Sequence, residues 1–192
     1  MATEKAGKGN EEVGLVEKIK KLLGFKKAGD IDEVKEFYRK TAEKYLKEGR
    51  FGNAGDFFEK AGDIDKAKKA YRKEAERYLE VEWFESAAYY FEKVGEIDKA
   101  RKAYRKAAER YVEDKLFGSA ARCFEKAGDI DKAKEFYRKE AEKRLKYGAL
   151  ESAADFFEKA GDIDKAKELY RKIAETCDRK CYWILWKSWR YW

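Results

Sequence analysis

Histidine and proline are absent from the 192 residues, glutamine does not occur, and asparagine appears only at Asn10 and Asn53. Without histidine the commonest general base and metal ligand is missing, which argues against an enzyme and against a metal site. Without proline nothing obliges a helix to kink or stop. Cysteine is confined to Cys123, Cys177 and Cys181, an odd and sparse set that makes no disulfide framework. Cys177 and Cys181 stand one helical turn apart, with no histidine or second cysteine pair to complete a tetrahedral site. No stretch approaches the ~18 apolar residues of a membrane span. The opening MATEKAGKGN lacks the apolar core of a secretion signal. The expectation is a soluble, cytoplasmic chain without catalytic residues, metal or cofactor.

What the chain does have is charge and ring surface. Charged residues make up 44% of it, a level that suggests disorder where apolar residues are scarce. Here 13 Tyr, 12 Phe and 5 Trp supply ample area for a core. A Lys/Glu/Arg-rich, amide-poor composition is shared by hyperthermophile proteins and by designed consensus repeats, and either origin implies a thermostable fold. The net charge of +7 sits mostly at the ends. Residues 1–27 carry seven lysines against four glutamates, and 177–192 carry four cations against Asp178. A nucleic-acid binder shows a basic stripe across its body; residues 28–176 are nearly neutral, so no nucleic-acid partner is expected.

Internal repetition settles the organisation. AGDID begins at Ala28, Ala61, Ala127 and Ala160, with the variant VGEID at Val94, so successive copies lie 33 residues apart. YRK follows in register at Tyr38, Tyr71, Tyr104, Tyr137 and Tyr170. Each repeat reads as a longer and a shorter helix. From Asp63 to Glu80, Ile64, Ala67, Tyr71, Ala75, Tyr78 and Leu79 fall on one helical stripe. Asp63 is placed to cap that helix with its carboxylate, and Gly62 suits the left-handed position ending the helix before it. The shorter helices carry a large residue, two small ones and a ring. Examples are Phe51, Ala54, Gly55 and Phe58, or Phe84, Ala87, Ala88 and Phe91. Small pairs let another helix approach closely, and neither helix hides its apolar face alone, so neighbouring repeats must stack.

The predicted fold is therefore all-α, an α-solenoid of stacked antiparallel helical hairpins. Its parts are a disordered tail over 1–10, a capping helix over 11–27, and repeats over 28–60, 61–93, 94–126 and 127–159. A partial repeat over 160–176 and a Trp-rich helix over 177–192 follow.

The pattern large-x-x-small-small-x-x-aromatic, then Gly-Asp, Ala67 and Tyr71, resembles the tetratricopeptide signature. The likeness is close over roughly 48–176 and looser over 11–47 and 177–192. Departures are the 33-residue period, where the family usually has 34, and the absence of a closing proline. The long aromatic second helix is also similar to the soluble NSF attachment proteins. Ankyrin repeats share the period, but their Thr-Pro-Leu-His turn is missing.

The resemblance implies a protein-binding scaffold whose shorter helices line a concave face. Exposed positions there would be Gly52, Glu85, Gly118 and Glu151, and one turn on Asp56, Tyr89, Arg122 and Asp155. The residues expected to read a partner are Asp56, Glu85, Tyr89, Arg122, Glu151 and Asp155. That set is mostly acidic and lacks the Lys/Asn clamp of chaperone-binding members, which favours a basic or amphipathic helical partner. The identical row Glu59, Glu92, Glu125 and Glu158 is attributed to duplication. The Arg and Lys of each YRK are expected to point outward, and Cys123 to fill the core. The Asp-Ile-Asp pairs are better explained by capping than by calcium, which needs more oxygen ligands.

Duplication does not explain the end of the chain. Trp183, Trp186, Trp189 and Trp192 recur every three residues beside Lys187 and Arg190, with Trp183 in the register of Phe51, Phe84, Phe117 and Leu150. Three readings stand: a homo-oligomer through residues 181–192, peripheral contact with a membrane surface, or packing back into the chain's own groove. The functional expectation is an adaptor. A membrane-trafficking factor like the NSF attachment proteins, or a designed repeat without natural ligand, are the alternatives.

Overall fold

A computed structural model describes residues 28–176. Those residues are all-helical, and they contain no strand. Long and short helices alternate: α1 (Ala28–Lys47), α2 (Phe51–Ala61), α3 (Ile64–Glu80), α4 (Phe84–Val94), α5 (Ile97–Glu113), α6 (Phe117–Ala127), α7 (Ile130–Lys146), α8 (Leu150–Ala160) and α9 (Ile163–Thr176). The chain divides into two compact units between Glu74 and Ala75. In the first, α1 packs on α2. In the second, each helix from α4 to α9 packs on the next. This is the hairpin-on-hairpin arrangement expected of a solenoid.

The small pairs explain the packing. Ala54, Ala87, Ala88, Ala120, Ala121, Ala153 and Ala154 are fully buried. Each leaves room for a long-helix ring: Tyr71, Tyr104, Tyr137 and Tyr170 are buried as well. In the second unit these form continuous clusters that take in Phe91, Phe124 and Phe157, with Cys123 fully buried as expected. In the first unit, Tyr45 stacks on Phe57 at 5.4 Å between ring centroids, and Gly55 lets the Tyr71 ring approach so closely that a Cβ would run into it. The predicted stripe of α3 holds for Ala67, Tyr71 and Ala75, but Ile64 at its start is 46% exposed. It lies in the first turn, as do its equivalents Ile97 and Ile130, each 48% exposed.

Both kinds of junction use a left-handed residue. Gly62, Gly95, Gly128 and Gly161, with φ of 81–87°, end the short helices. There the glycine N–H donates three residues back and the next N–H five back, as Gly62 to Glu59 and Asp63 to Phe58. At the ends of the long helices the same conformation falls on Gly49 and Gly148, but on Glu82 (φ 58°) and Lys115 (φ 57°) in between.

The aspartate that follows α2, α6 and α8 (Glu96 holds the place after α4) departs from the sequence-based expectation. Its backbone carbonyl does begin the next helix, Asp63 to the Ala67 N–H at 3.0 Å. Its carboxylate goes elsewhere: Asp129 makes no side-chain cap bond. Instead Arg105 Nε and Nη2 donate to Asp129 at 2.7 and 2.9 Å, and Arg39 does the same to Asp63 and Arg138 to Asp162. The YRK arginine thus runs along the surface to the junction 24 residues on, rather than simply facing outward. A bidentate, charged guanidinium binds those oxygens more strongly than neutral backbone donors do.

Two stability outcomes follow from this geometry. Lys115→Gly removes a left-handed side chain and raises stability by about 0.5–1 kcal/mol; denaturant titration reads it, and a lower midpoint contradicts it. Gly55→Ala lowers stability by about 1–2 kcal/mol despite alanine's helix propensity, because the Tyr71 ring must give way. A gain on the same titration would show that the ring moves freely.

Candidate functional site

The buried tyrosines explain a row that repetition alone left without a role. Each hydroxyl sits under a short helix and needs an acceptor, since a buried polar group without a partner is costly. The Tyr104 hydroxyl donates to Glu92 Oε2 at 2.9 Å and Tyr137 to Glu125 Oε2 at 2.8 Å. Tyr71 lies 2.7 Å from Asp56 Oδ1 and 2.8 Å from Glu59 Oε2, and Tyr170 2.6 Å from Asp155 Oδ1 and 3.4 Å from Glu158 Oε2. The glutamate row is therefore the acceptor side of a ladder. Lys126 caps one rung, donating to the Tyr104 hydroxyl at 3.1 Å.

Among the residues expected to read a partner, Asp56 and Asp155 are thus partly engaged from beneath. Gly52 is buried rather than exposed, and Gly118 is half-buried, where a Cβ would lie 3.4 Å from the Phe156 ring on α8 and 3.5 Å from Glu140 Cγ on α7. Glu85 is half-buried and anchored twice, by the Tyr111 hydroxyl at 2.9 Å and Arg122 Nη2 at 3.2 Å. Glu151 and Arg122 are exposed. Trp183, Trp186, Trp189 and Trp192 lie outside the described residues.

In the second compact unit the short-helix face has two open recesses of opposite character. Near α4 and α5, a hollow of ≈360 Å³ is lined by Glu82, Trp83, Glu85, Arg110, Tyr111 and Asp114. It adjoins another, sharing Glu85, that reaches Tyr78, Tyr89 and Tyr90. The rings make one run. Trp83 stacks on Tyr78 at 5.7 Å, Tyr78 on Tyr90 at 5.7 Å, and Tyr89 meets Tyr90 edge-on at 5.2 Å. Its two ends are open, Trp83 63% and Tyr89 48% exposed. One repeat further on, a hollow of ≈330 Å³ is lined instead by Arg122, Lys143, Arg144 and Lys159, with Glu140 paired to Arg144 at 2.7 Å.

Reading of the helical rows had found Glu85, Tyr89 and Arg122 but not Glu82, Trp83 or Asp114, which lie at helix ends and turns. The signal was there: Trp83 replaces Arg50, Leu116 and Ala149 at the same place in the other repeats. Chemically the face offers rings, charges and hydroxyls. The single described thiol, Cys123, is fully buried and pushed up to about 12 by burial and the nearby Glu85, so it stays protonated. Among the described residues no group of three or more metal-ligating side chains gathers, and no helix is long and apolar enough to cross a membrane.

Burial, reinforced by the carboxylate acceptors, also holds the ladder tyrosines far above their ordinary value near 10 and pushes Tyr111 up to about 12. Above about pH 10 the unfolded chain therefore binds fewer protons than the folded one, so stability is complete below that pH and falls as pH rises through the folded values. Cys123 acts in the same direction from about pH 9. Circular dichroism across alkaline pH is expected to lose helix together with the appearance of phenolate absorbance. Full phenolate absorbance near pH ~10 with helix intact would contradict the ladder.

Two tetratricopeptide repeat family models match the chain, one over residues 51–77 and one over 119–139. Both segments run from a short helix into the following long one. No curated protein and no solved structure matches it.

Proposed function

Since the chain is a tetratricopeptide-like helical repeat protein, a protein-interaction scaffold in general, we propose that it works without catalysis by holding a basic or amphipathic helix on its short-helix face. The residues of the second compact unit that read this partner are Glu85, Tyr89, Arg122, Glu151 and Asp155, joined by Trp83. The observation that carries the reading is the open aromatic run from Trp83 to Tyr89 beside Glu82, Glu85 and Asp114. Exposed Trp and Tyr on a rigid helical support are what interface hot spots are made of. Acidic side chains around them orient a cationic partner and speed its arrival.

Calorimetry on the full chain tests this with two synthetic amphipathic helical peptides of equal hydrophobicity, one Lys/Arg-rich and one Asp/Glu-rich. The basic peptide is expected to bind, and Tyr89→Ala to weaken it about tenfold, equivalent to about 1.4 kcal/mol. Tyr89 is exposed at its open edge, so the variant should keep its helix content. Absence of binding by either peptide, or binding indifferent to Tyr89→Ala, would remove the scaffold reading.

A further inference from the structure

The segment after α9 carries the chemistry that the α4–α5 recess lacks. Residues 177–192 hold Trp183, Trp186, Trp189 and Trp192 together with Arg179, Lys180, Lys187 and Arg190, against the single acid Asp178. The recess presents exposed Trp83 and Tyr89 with Glu82, Glu85 and Asp114 around them. We infer that this recess takes residues 177–192 of a second copy of the chain, a conclusion that rests on the scaffold reading and names its partner.

Three observations support the assignment. The first is the repeat register. Every described short helix places two small residues, such as Ala153 and Ala154, in full burial against the long helices. Thirty-three residues later those positions are Trp186 and Lys187. A Trp overfills a site shaped for a methyl group, and a Lys there would bury a charge without a partner. The segment is thus poorly suited to repeat the packing of its predecessors on α9, and its rings call for another surface.

The second is complementarity with discrimination. Guanidinium and ammonium groups gain from the faces of Trp83 and Tyr89, and from the carboxylates of Glu82 and Asp114. Glu82 already holds Arg110 at 2.7 Å in an exposed pair, so a second cation joins a network instead of facing a buried pair. The neighbouring recess, with Arg122, Lys143, Arg144 and Lys159, repels the same segment. Between these two hollows, one repeat apart, charge selects the α4–α5 recess.

The third is reach. Sixteen residues follow α9, and four helices, α5 to α8, separate α4 from α9 in the chain. A second copy brings its own segment to α4 independently of that separation. Two copies exchanging segments reciprocally close into a dimer.

Charge exchange on full chains tests the inference by gel filtration with light scattering. The unaltered chain is expected at twice the 22.5 kDa of one copy. Glu82→Lys with Asp114→Lys, both exposed positions, is expected to run as a monomer, and so is Lys187→Glu with Arg190→Glu. Each double variant should weaken association at least about tenfold. Mixing the two monomeric variants restores complementary pairs only between copies, so the dimeric mass should return. Circular dichroism verifies that both variants keep their helices. An unaltered chain that stays monomeric at every concentration overturns the inference, as does a mixture that stays monomeric. So does a monomer that sediments with phosphatidylserine vesicles irrespective of Glu82 and Asp114, since the Trp-rich segment then serves a membrane. Any of these outcomes with Tyr89-dependent peptide binding intact leaves the scaffold itself standing.

Discussion

Each hairpin is organised around a tyrosine ring driven into the space that two small residues leave open. The ring brings its hydroxyl with it, and a buried hydroxyl demands an acceptor. Tyr104 meets that demand at Glu92 and Tyr137 at Glu125, each twelve residues upstream on the preceding short helix. One interaction therefore ties apolar packing to polar satisfaction. The ring is buried only if the alanines are small enough, and it stays buried at low cost only if the carboxylate stands where the short helix puts it.

Charge follows the same economy. Arg105 to Asp129 and Arg138 to Asp162 link the middle of one long helix to the start of the next, so the periodic charges brace successive repeats. Single pairs at this exposure contribute little. Repeated at constant pitch they favour one register of stacking. Once ladder and braces have taken their shares of the acidic and basic residues, the positions that vary from repeat to repeat stand out. Trp83, Tyr89, Arg122 and Glu140 break the repetition, and they sit around the recesses.

The hairpins were legible because periodicity is a local property. Gly62 and its equivalents mark helix ends through backbone conformation alone, and the Ala87–Ala88 and Phe91 pattern marks the packed face. Glu85 and Tyr89 were also visible, as exceptions to a repeated row. Trp83 and Asp114 were harder to place. They belong to helix ends and turns, where helical spacing says nothing about direction, and they come together only because α4 packs on α5. The destination of the Asp129 carboxylate was read wrongly for a related reason. A capping aspartate and a salt-bridged one look alike until the arginine 24 residues away is seen beside it.

The amino-acid order by itself determined that this chain forms paired helices every 33 residues and which face of each is apolar, because turns and helical stripes depend on neighbours in sequence. Only the tertiary structure decided which carboxylates serve tyrosines, which hold arginines, and which stand beside the aromatic run. Those are questions of distance between groups far apart along the chain, and in a polypeptide where 44% of residues are charged, many partners are chemically equivalent until packing selects among them.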